Sequence, residues 1–123
     1  MRKDVVPTEA QEQKALFEWA RYSRSKYPAL SLMYHIPNEA KRTPWGGREQ
    51  VDMGLRKGVP DICLPVPSRQ YTALYIEMKR RKGGRVSEEQ RGWLAALNRV
   101  GCKAVVCRGW EEARDEIMQY LRM

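Results

Sequence analysis

The chain has 123 residues, of which 42% are hydrophobic and 31% are charged. This composition excludes the disordered class, and the length suits one domain, which we expect to span residues 1–123. Lys and Arg outnumber Asp and Glu by 23 to 15, giving a net charge of +8 and indicating a polyanionic partner, nucleic acid or an anionic membrane surface. No apolar run approaches the roughly 20 residues that span a bilayer, and the N-terminus lacks a signal-peptide segment. Nucleic acid is therefore the predicted partner, and a membrane is not.

The three cysteines, Cys63, Cys102 and Cys107, form neither an even disulfide set nor a CxxC metal pair. Each lies in or beside an apolar stretch, where a free cysteine behaves as a small hydrophobic residue. We therefore expect reduced, structural cysteines and a cytoplasmic location, in a bacterial or phage-infected cell.

A first helix is predicted from Thr8 to about Arg24. Thr8 suits the N-cap position, and Gln11, three residues later, can bond back to it in a capping box. Leu16 belongs to the buried face of this helix, and Glu12 precedes it by four residues, so the Glu12 carboxylate falls on the same apolar face. A charge at that position is unusual.

The segment after this helix is predicted to hold a strand and a long loop. Residues 31–36, SLMYHI, have the length and residue types of a strand, whereas residues 37–51 contain two prolines and two glycines. A structureless loop of that length is rare in a compact domain unless it is functional or disordered. It is either a solvated mobile loop or a segment that grips phosphates and stacks on a base. The second interpretation assigns those contacts to Lys41, Arg42, Trp45 and Arg48.

Two strands are predicted next, and they form a hairpin-like pair. Residues 59–65 are a short apolar run that contains Asp61, and residues 71–78 are rich in aromatic and β-branched side chains. A basic stretch, Lys79 to Lys82, follows the second strand.

A second helix opens at Ser87, with Gln90 at the capping-box spacing, and a strand at 103–107 and a helix at 110–121 follow. The order is α-β-(loop)-β-β-α-β-α, an α/β arrangement around a small mixed sheet. A right-handed crossover through the second helix makes strands 71–78 and 103–107 parallel.

Three residues, Asp61, Glu77 and Lys79, have the side chains of a metal-dependent catalytic site. Strand residues alternate between faces, so Glu77 and Lys79 point to the same side. If the hairpin brings Asp61 beside Glu77, the two carboxylates repel by roughly 4 kcal/mol at an effective dielectric of about 20, and a divalent cation would remove that repulsion. Oxygen ligands favour Mg²⁺ or Mn²⁺, and Lys79 would orient the attacking water or stabilise charge on a phosphate.

A known family carries this constellation in the same order. Gly58 to Asp61, Tyr75 to Lys79, Gly84 to Leu94, and Gly101 with the strand through Val106 resemble the VRR-NUC nucleases of the PD-(D/E)xK superfamily. The resemblance runs from the first helix to Gly109. It implies a restriction-endonuclease-like αβββαβ core, a small mixed sheet flanked by helices, and Mg²⁺- or Mn²⁺-dependent hydrolysis of DNA phosphodiesters.

The resemblance also implies roles for single residues. Asp61 and Glu77 match metal ligands, Met78 would offer its backbone carbonyl, and Lys79 matches the catalytic lysine. Glu12 matches an acid of the first helix that binds the metal directly or through water. Gln90 has two compatible interpretations, a capping partner for Ser87 and a helix glutamine that faces the active site; we favour the site role.

Several further residues are predicted to contact DNA. Basic side chains in the long loop and after the second strand of the hairpin suit phosphate contacts. They are Lys41, Arg42, Arg48, Arg80, Arg81, Lys82 and Arg85. Asn38 and Glu39 lie in a stretch that resembles an H-x-x-N-E segment near the family's active site, and are candidates for DNA or site-supporting contacts. His35, the single histidine, is interpreted as a packed or edge strand residue, since the chemistry does not require it.

The leading functional prediction is a structure-selective endonuclease. The small size and the resemblance to stand-alone family members favour a homodimer that cleaves four-way (Holliday) junctions, because a two-fold enzyme places two active sites against two strands. One alternative is a nicking or restriction-like endonuclease of a phage or mobile element with a flap or sequence preference. The other is a non-catalytic DNA-binding module, disfavoured because Asp61, Glu77 and Lys79 are all present.

Overall fold

The computed structural model describes residues 5–37 and 44–122, with side chains described outside 44–47. These residues form helices around a four-stranded sheet of strand order β1-β2-β3-β4. In chain order, the elements are α1 (Glu9–Tyr22), a 3₁₀ helix (Pro28–Leu32), β1 (Tyr34–His35), α2 (Pro44–Asp52), β2 (Ile62–Leu64), β3 (Leu74–Lys79), α3 (Glu88–Arg99), β4 (Lys103–Arg108) and α4 (Trp110–Arg122). Within the described ranges, no helix is long and apolar enough to cross a bilayer.

The strand pairing confirms the predicted α/β fold with its mixed sheet. β2 runs antiparallel to both β1 and β3, so β2 and β3 form the expected hairpin-like pair. β3 and β4 are parallel, with Glu77 opposite Val106, and α3 provides the crossover between them.

Both predicted capping boxes are present. At α1, Thr8 Oγ1 accepts from Gln11 N over 3.1 Å and Gln11 Oε1 accepts from Thr8 N over 2.9 Å. At α3, Ser87 Oγ accepts from Gln90 N over 3.1 Å and Gln90 Oε1 accepts from Ser87 N over 2.8 Å. Each box satisfies two donors near the start of its helix, which fixes where α1 and α3 begin.

The two faces of β3 serve different purposes. Leu74, Ile76 and Met78 are buried in a core shared with side chains of α1 and α4. The alternate residues of β3 point to the opposite face, where α3 lies. Asn98 of α3 fixes that packing, because its side chain donates to the carbonyl of Ala104 and accepts from its N–H, each over 3.0 Å. The sheet thus buries one face completely and carries Glu77 and Lys79 on the other.

Two local predictions were wrong. Residues 31–36 do not form one strand: a 3₁₀ helix covers Pro28–Leu32, and β1 is limited to Tyr34–His35. The apolar residue types suit a strand, but Pro28 favours a helical start and only two residues pair with β2.

The predicted loop at 37–51 also differs, because Pro44–Asp52 form α2. Proline fits the first turn of a helix, where its missing N–H costs nothing. The two glycines, at 46 and 47, cost about 1 kcal/mol each against alanine in a helix and made the segment resemble a loop.

Candidate active site

Asp61 lies directly before β2, at the open end of the pair formed by β2 and β3. The pairing of Ile62 with Ile76 places Asp61 opposite Glu77 when the register is extended by one residue. Its Oδ2 accepts from Met78 N over 2.7 Å. Its carbonyl accepts from Ile36 N over 2.7 Å and from His35 Nδ1 over 2.9 Å. Bonds to β3 and to the end of β1 therefore fix the position of Asp61.

Glu77 and Lys79 lie on one face of β3, as the strand alternation predicts. Glu77 is 2% exposed and Lys79 is 6% exposed. Lys79 Nζ lies 3.7 Å from Glu77 Oε2. Glu77 Oε1 is buried and has no hydrogen-bond partner among the described residues. A buried carboxylate oxygen without a donor is costly, so this atom requires a ligand or a proton.

The two carboxyl groups influence each other's protonation. Burial raises the pKa of Glu77 to about 8, the charge of Asp61 raises it as well, and the Lys79 ammonium opposes both effects. Burial also raises the pKa of Asp61, whereas the bond from Met78 N lowers it. Because that backbone bond favours the ionised form of Asp61, we assign the proton of the pair to Glu77 near neutral pH.

The residues present fit a divalent cation. A cation beside Asp61 and Glu77 would supply the missing partner of Glu77 Oε1 and remove the repulsion that raises its pKa. The N–H of Met78 points toward Asp61, and in an extended strand the N–H and C=O of one residue point to the same side, so the Met78 carbonyl is directed to this side as well. In the described residues, no group of three or more acidic, His or Cys side chains could hold a metal ion. The protein ligands predicted here are therefore two carboxylates and one carbonyl.

Gln90 reaches the site while it caps α3. Its Nε2 donates to Glu77 Oε2 over 3.0 Å, and its Oε1 accepts from Ser87 N. The structure therefore shows both contacts that the sequence suggested for this side chain. The start of α3 and the position of the Glu77 carboxylate depend on the same residue.

Glu12 is buried, as its place on the apolar face of α1 predicted, but it lies apart from the carboxylate pair. Its Oε2 accepts from Arg81 Nε over 2.8 Å, and its Oε1 accepts from Trp110 N over 3.0 Å. Both oxygens thus have partners within the fold. The structure does not bring Glu12 together with Asp61 and Glu77 as a metal-ligand group.

Glu9 is an exposed acid of α1 that the sequence does not indicate, and it lies near Lys79. Burial and the charge of Asp61 raise the pKa of Glu77 most, and the negative charge of Glu9 adds a smaller effect in the same direction. A Cβ on Gly84 would lie 3.3 Å from Lys79 Cδ and 3.5 Å from Glu9 Oε2, so both side chains pass the same glycine. Glu9 precedes Glu12 by three residues on one side of the helix, and this spacing is the signal that would have indicated it.

The basic residues predicted to contact DNA differ in their surroundings. Arg81 pairs with Glu12 and also lies 3.4 Å from Glu111 Oε1. Arg80 donates to the Val6 carbonyl over 3.1 Å. The other described members of this set are exposed: Arg48, Lys82 and Arg85. Asn38, Lys41 and Arg42 lie outside the described residues.

Residues 7–111 match the family model of the VRR-NUC domain. The chain belongs to the VRR-NUC family. Among solved structures, it is similar to a protein described as a VRR-NUC domain protein, with a TM-score of 0.82 and 24% sequence identity over 96% of this chain and 91% of that one. That likeness shows the fold. No curated protein matches the chain. Membership of the VRR-NUC family implies a nuclease-type function in DNA processing.

Proposed function

We propose that the chain is a Mg²⁺- or Mn²⁺-dependent endonuclease that hydrolyses DNA phosphodiester bonds and acts in the cytoplasm. The observation that carries the proposal is the buried Asp61–Glu77 pair: among the described residues Glu77 Oε1 has no hydrogen-bond partner, and Lys79 Nζ lies 3.7 Å from the other oxygen. In the metal-free protein, the proton assigned to Glu77 satisfies its carboxyl group. A divalent cation would take the place of that proton, because both compete for the same carboxylates.

Asp61, Glu77 and the Met78 carbonyl would hold the cation. When bound, a divalent cation lowers the pKa of water and stabilises negative charge on a phosphate. Lys79 presents its ammonium on the same face as Glu77, and contributes positive charge where negative charge develops during phosphodiester hydrolysis. Gln90 holds Glu77 Oε2 through its amide N–H, so Oε1 is the oxygen that would bind a cation.

The preferred substrate we propose is branched DNA, in particular the four-way junction, cleaved by a homodimer. A surface of α2 supports the dimer. Val51 is 56% exposed and Met53, just beyond the helix, is 79% exposed. An isolated helix of fewer than about 12 residues is marginal in water, so a second copy packed here would stabilise the nine residues of α2.

The charges on α2 are self-complementary. Arg48 and Asp52 lie four residues apart on one side of the helix, with Val51 between them. An antiparallel copy related by a two-fold axis would place Arg48 of one chain beside Asp52 of the other. Sedimentation of the protein and of a Val51→Lys variant tests this: a dimer that the substitution dissociates is expected, and a monomeric parent protein would contradict it.

The substrate is tested by cleavage of a labelled four-way junction and of a linear duplex with the same arm sequences, with and without Mg²⁺. We expect Mg²⁺-dependent nicking of the junction well above that of the duplex. Equal cleavage of both would reject junction selectivity, and faster cleavage of an added flap substrate would favour a flap nuclease. DNA binding without cleavage of any substrate would indicate a non-catalytic module.

A further inference from the structure

A groove outside the carboxylate site runs along α3, and we call it the Trp93 groove. Its volume is about 390 Å³. It lies between the loop before Asp61 and the first turns of α3. Its lining residues are Arg56, Lys57, Glu89, Gly92, Trp93 and Ala96.

The loop that forms one wall of the groove is tied closely to α3. Trp93 Nε1 donates to the Lys57 carbonyl over 3.1 Å. Gly58 has a φ of +91°, and a Cβ there would lie 2.8 Å from the backbone of Glu89. Only glycine fits so close an approach at positive φ without strain. The wall of the groove is therefore positioned by the fold.

The chemistry of the groove suits a nucleotide. Trp93 and Ala96 supply an apolar floor, and the Arg56 guanidinium lies over the indole ring, 5.2 Å from its centroid. Indole rings and guanidinium planes both accept stacked bases.

The rim of the groove is cationic. The Lys57 side chain is 83% exposed, and its ammonium lies 3.8 Å from Glu89 Oε2. An exposed pair of this kind is weak, so a phosphate can compete for the lysine. A ligand with an aromatic ring and a phosphate matches both the floor and the rim.

Two short segments of the chain connect the Trp93 groove to the carboxylate site. Trp93 follows Gln90 by three residues on α3, and the Gln90 side chain bonds Glu77. Gly58 precedes Asp61 by three residues. A strand whose phosphate lies at Asp61 and Glu77 therefore has the Trp93 groove beside its next nucleotides.

We propose that the Trp93 groove binds one nucleotide of the DNA strand that flanks the scissile phosphate, with its base against Trp93 and Arg56 and its phosphate at Lys57. The proposal rests on the proposed nuclease function, because it places the groove beside the reacting strand. None of these residues belongs to the set that the sequence indicated for DNA contacts.

The test measures DNA binding in metal-free buffer, so that it does not depend on cleavage. Binding of a labelled junction and of a labelled duplex is followed across a salt series for the parent protein and for the double variant Arg56→Gln, Lys57→Gln. A double variant Arg21→Gln, Arg24→Gln removes the same charge from exposed positions at the far end of α1 and serves as control. Thermal unfolding confirms that each variant is folded.

We expect the groove variant to flatten the dependence of log affinity on log salt by about one unit, because Lys57 makes the phosphate contact of the groove and each such contact contributes about 0.9 for duplex DNA, and the control to leave it unchanged. Trp93→Leu removes the stacking surface and the bond to the Lys57 carbonyl, and should weaken binding about tenfold; the slope should stay the same because no charge is removed. Equal slopes for the groove and control variants, or unchanged affinity in Trp93→Leu, would overturn the proposal. Groove-dependent binding by a protein that cleaves nothing would reject the nuclease function alone.

Discussion

Gln90 donates a hydrogen bond from its side-chain amide to Glu77 Oε2 over 3.0 Å, and the same side chain closes the N-cap of α3. The Glu77 carboxylate thus takes its orientation from the first turn of α3, the helix that connects β3 to β4. A contact of this kind couples local helix stability to the geometry of the site. The two effects can be separated by mutation, because Ser87 takes part in the cap and not in the bond to Glu77.

Ser87→Ala and Gln90→Ala should differ in activity more than in stability. Each removes one of the two bonds of the capping box, which is expected to cost about 1 kcal/mol of unfolding free energy. Only Gln90→Ala also releases Glu77 Oε2, and we expect its cleavage rate to fall at least tenfold while that of Ser87→Ala stays within about twofold of the parent. Denaturant unfolding and cleavage assays check this, and equal rates in the two variants would reject a site role for Gln90.

The stability of the metal-free protein should fall as the pH rises. Glu77 has an ordinary pKa of 4.5 and a folded pKa of about 8, so between these values the folded chain holds a proton that the unfolded chain has released. Unfolding free energy then decreases with pH, and the stabilisation is present below 4.5 and lost as pH passes through 8. Asp61 acts in the same direction, since burial raises its pKa too.

Glu77→Gln should flatten this pH dependence, as a neutral amide does not titrate. Denaturant unfolding in EDTA from about pH 5 to about pH 9 measures it, because this interval includes the folded pKa of about 8 for Glu77. Added Mg²⁺ should stabilise the parent protein more at the upper end of that range, because cation and proton compete for the same carboxylates. Identical profiles for the parent protein and Glu77→Gln would contradict the assignment of the proton to Glu77.

Glu9→Gln should lower the pKa of Glu77. The charge of Glu9 is one of the causes that raise this pKa, so its removal lets Glu77 ionise at a lower pH. Carboxyl-carbon NMR of Glu77 follows the titration directly. Glu18→Gln provides the control, because Glu18 is an exposed acid of the same helix and does not appear among the groups acting on Glu77. A Glu77 titration that shifts equally in both variants would show that Glu9 has no specific effect.

Arg81→Ala should affect stability and Lys82→Ala should affect DNA binding. Glu12 is 1% exposed and accepts a hydrogen bond from Arg81, so the loss of Arg81 is expected to lower the unfolding free energy, though by less than the loss of a fully buried partner because Arg81 is 45% exposed. Lys82 is exposed, so its loss should change the unfolding free energy by less than about 0.5 kcal/mol. If Lys82 contacts a phosphate, its loss should reduce the slope of log DNA affinity against log salt concentration by about one unit. Unfolding and binding titrations on both variants distinguish the two roles, and equal stability losses would contradict them.

The sequence predicted the parts of the site that follow from local rules. The alternation of side chains along a strand places Glu77 and Lys79 on one face, and the serine-to-glutamine spacing predicts the cap at Gln90. Both features depend on residues within three positions of each other, so no knowledge of the tertiary fold is needed.

Other features depend on contacts that span most of the chain. Glu12 and Arg81 are 69 residues apart, and only the packing of α1 against the end of β3 makes them partners. For the same reason the sequence suggested Glu12, and not Glu9, as the acid near the site. The sequence does not predict the helix at Pro44–Asp52, because its two glycines favour a loop; its proline, however, suits a helix start.

The most direct test is the rate of Mg²⁺-dependent DNA cleavage by Lys79→Ala, with Lys82→Ala as the matched control on the same basic stretch. We predict that Lys79→Ala lowers the rate by at least about 10²-fold while DNA and metal binding are retained, because the ammonium beside Glu77 acts on charge that develops during the reaction. Lys82→Ala should keep its maximal rate. Cleavage by Lys79→Ala at the parent rate would contradict the assignment of Asp61, Glu77 and Lys79 as the active site.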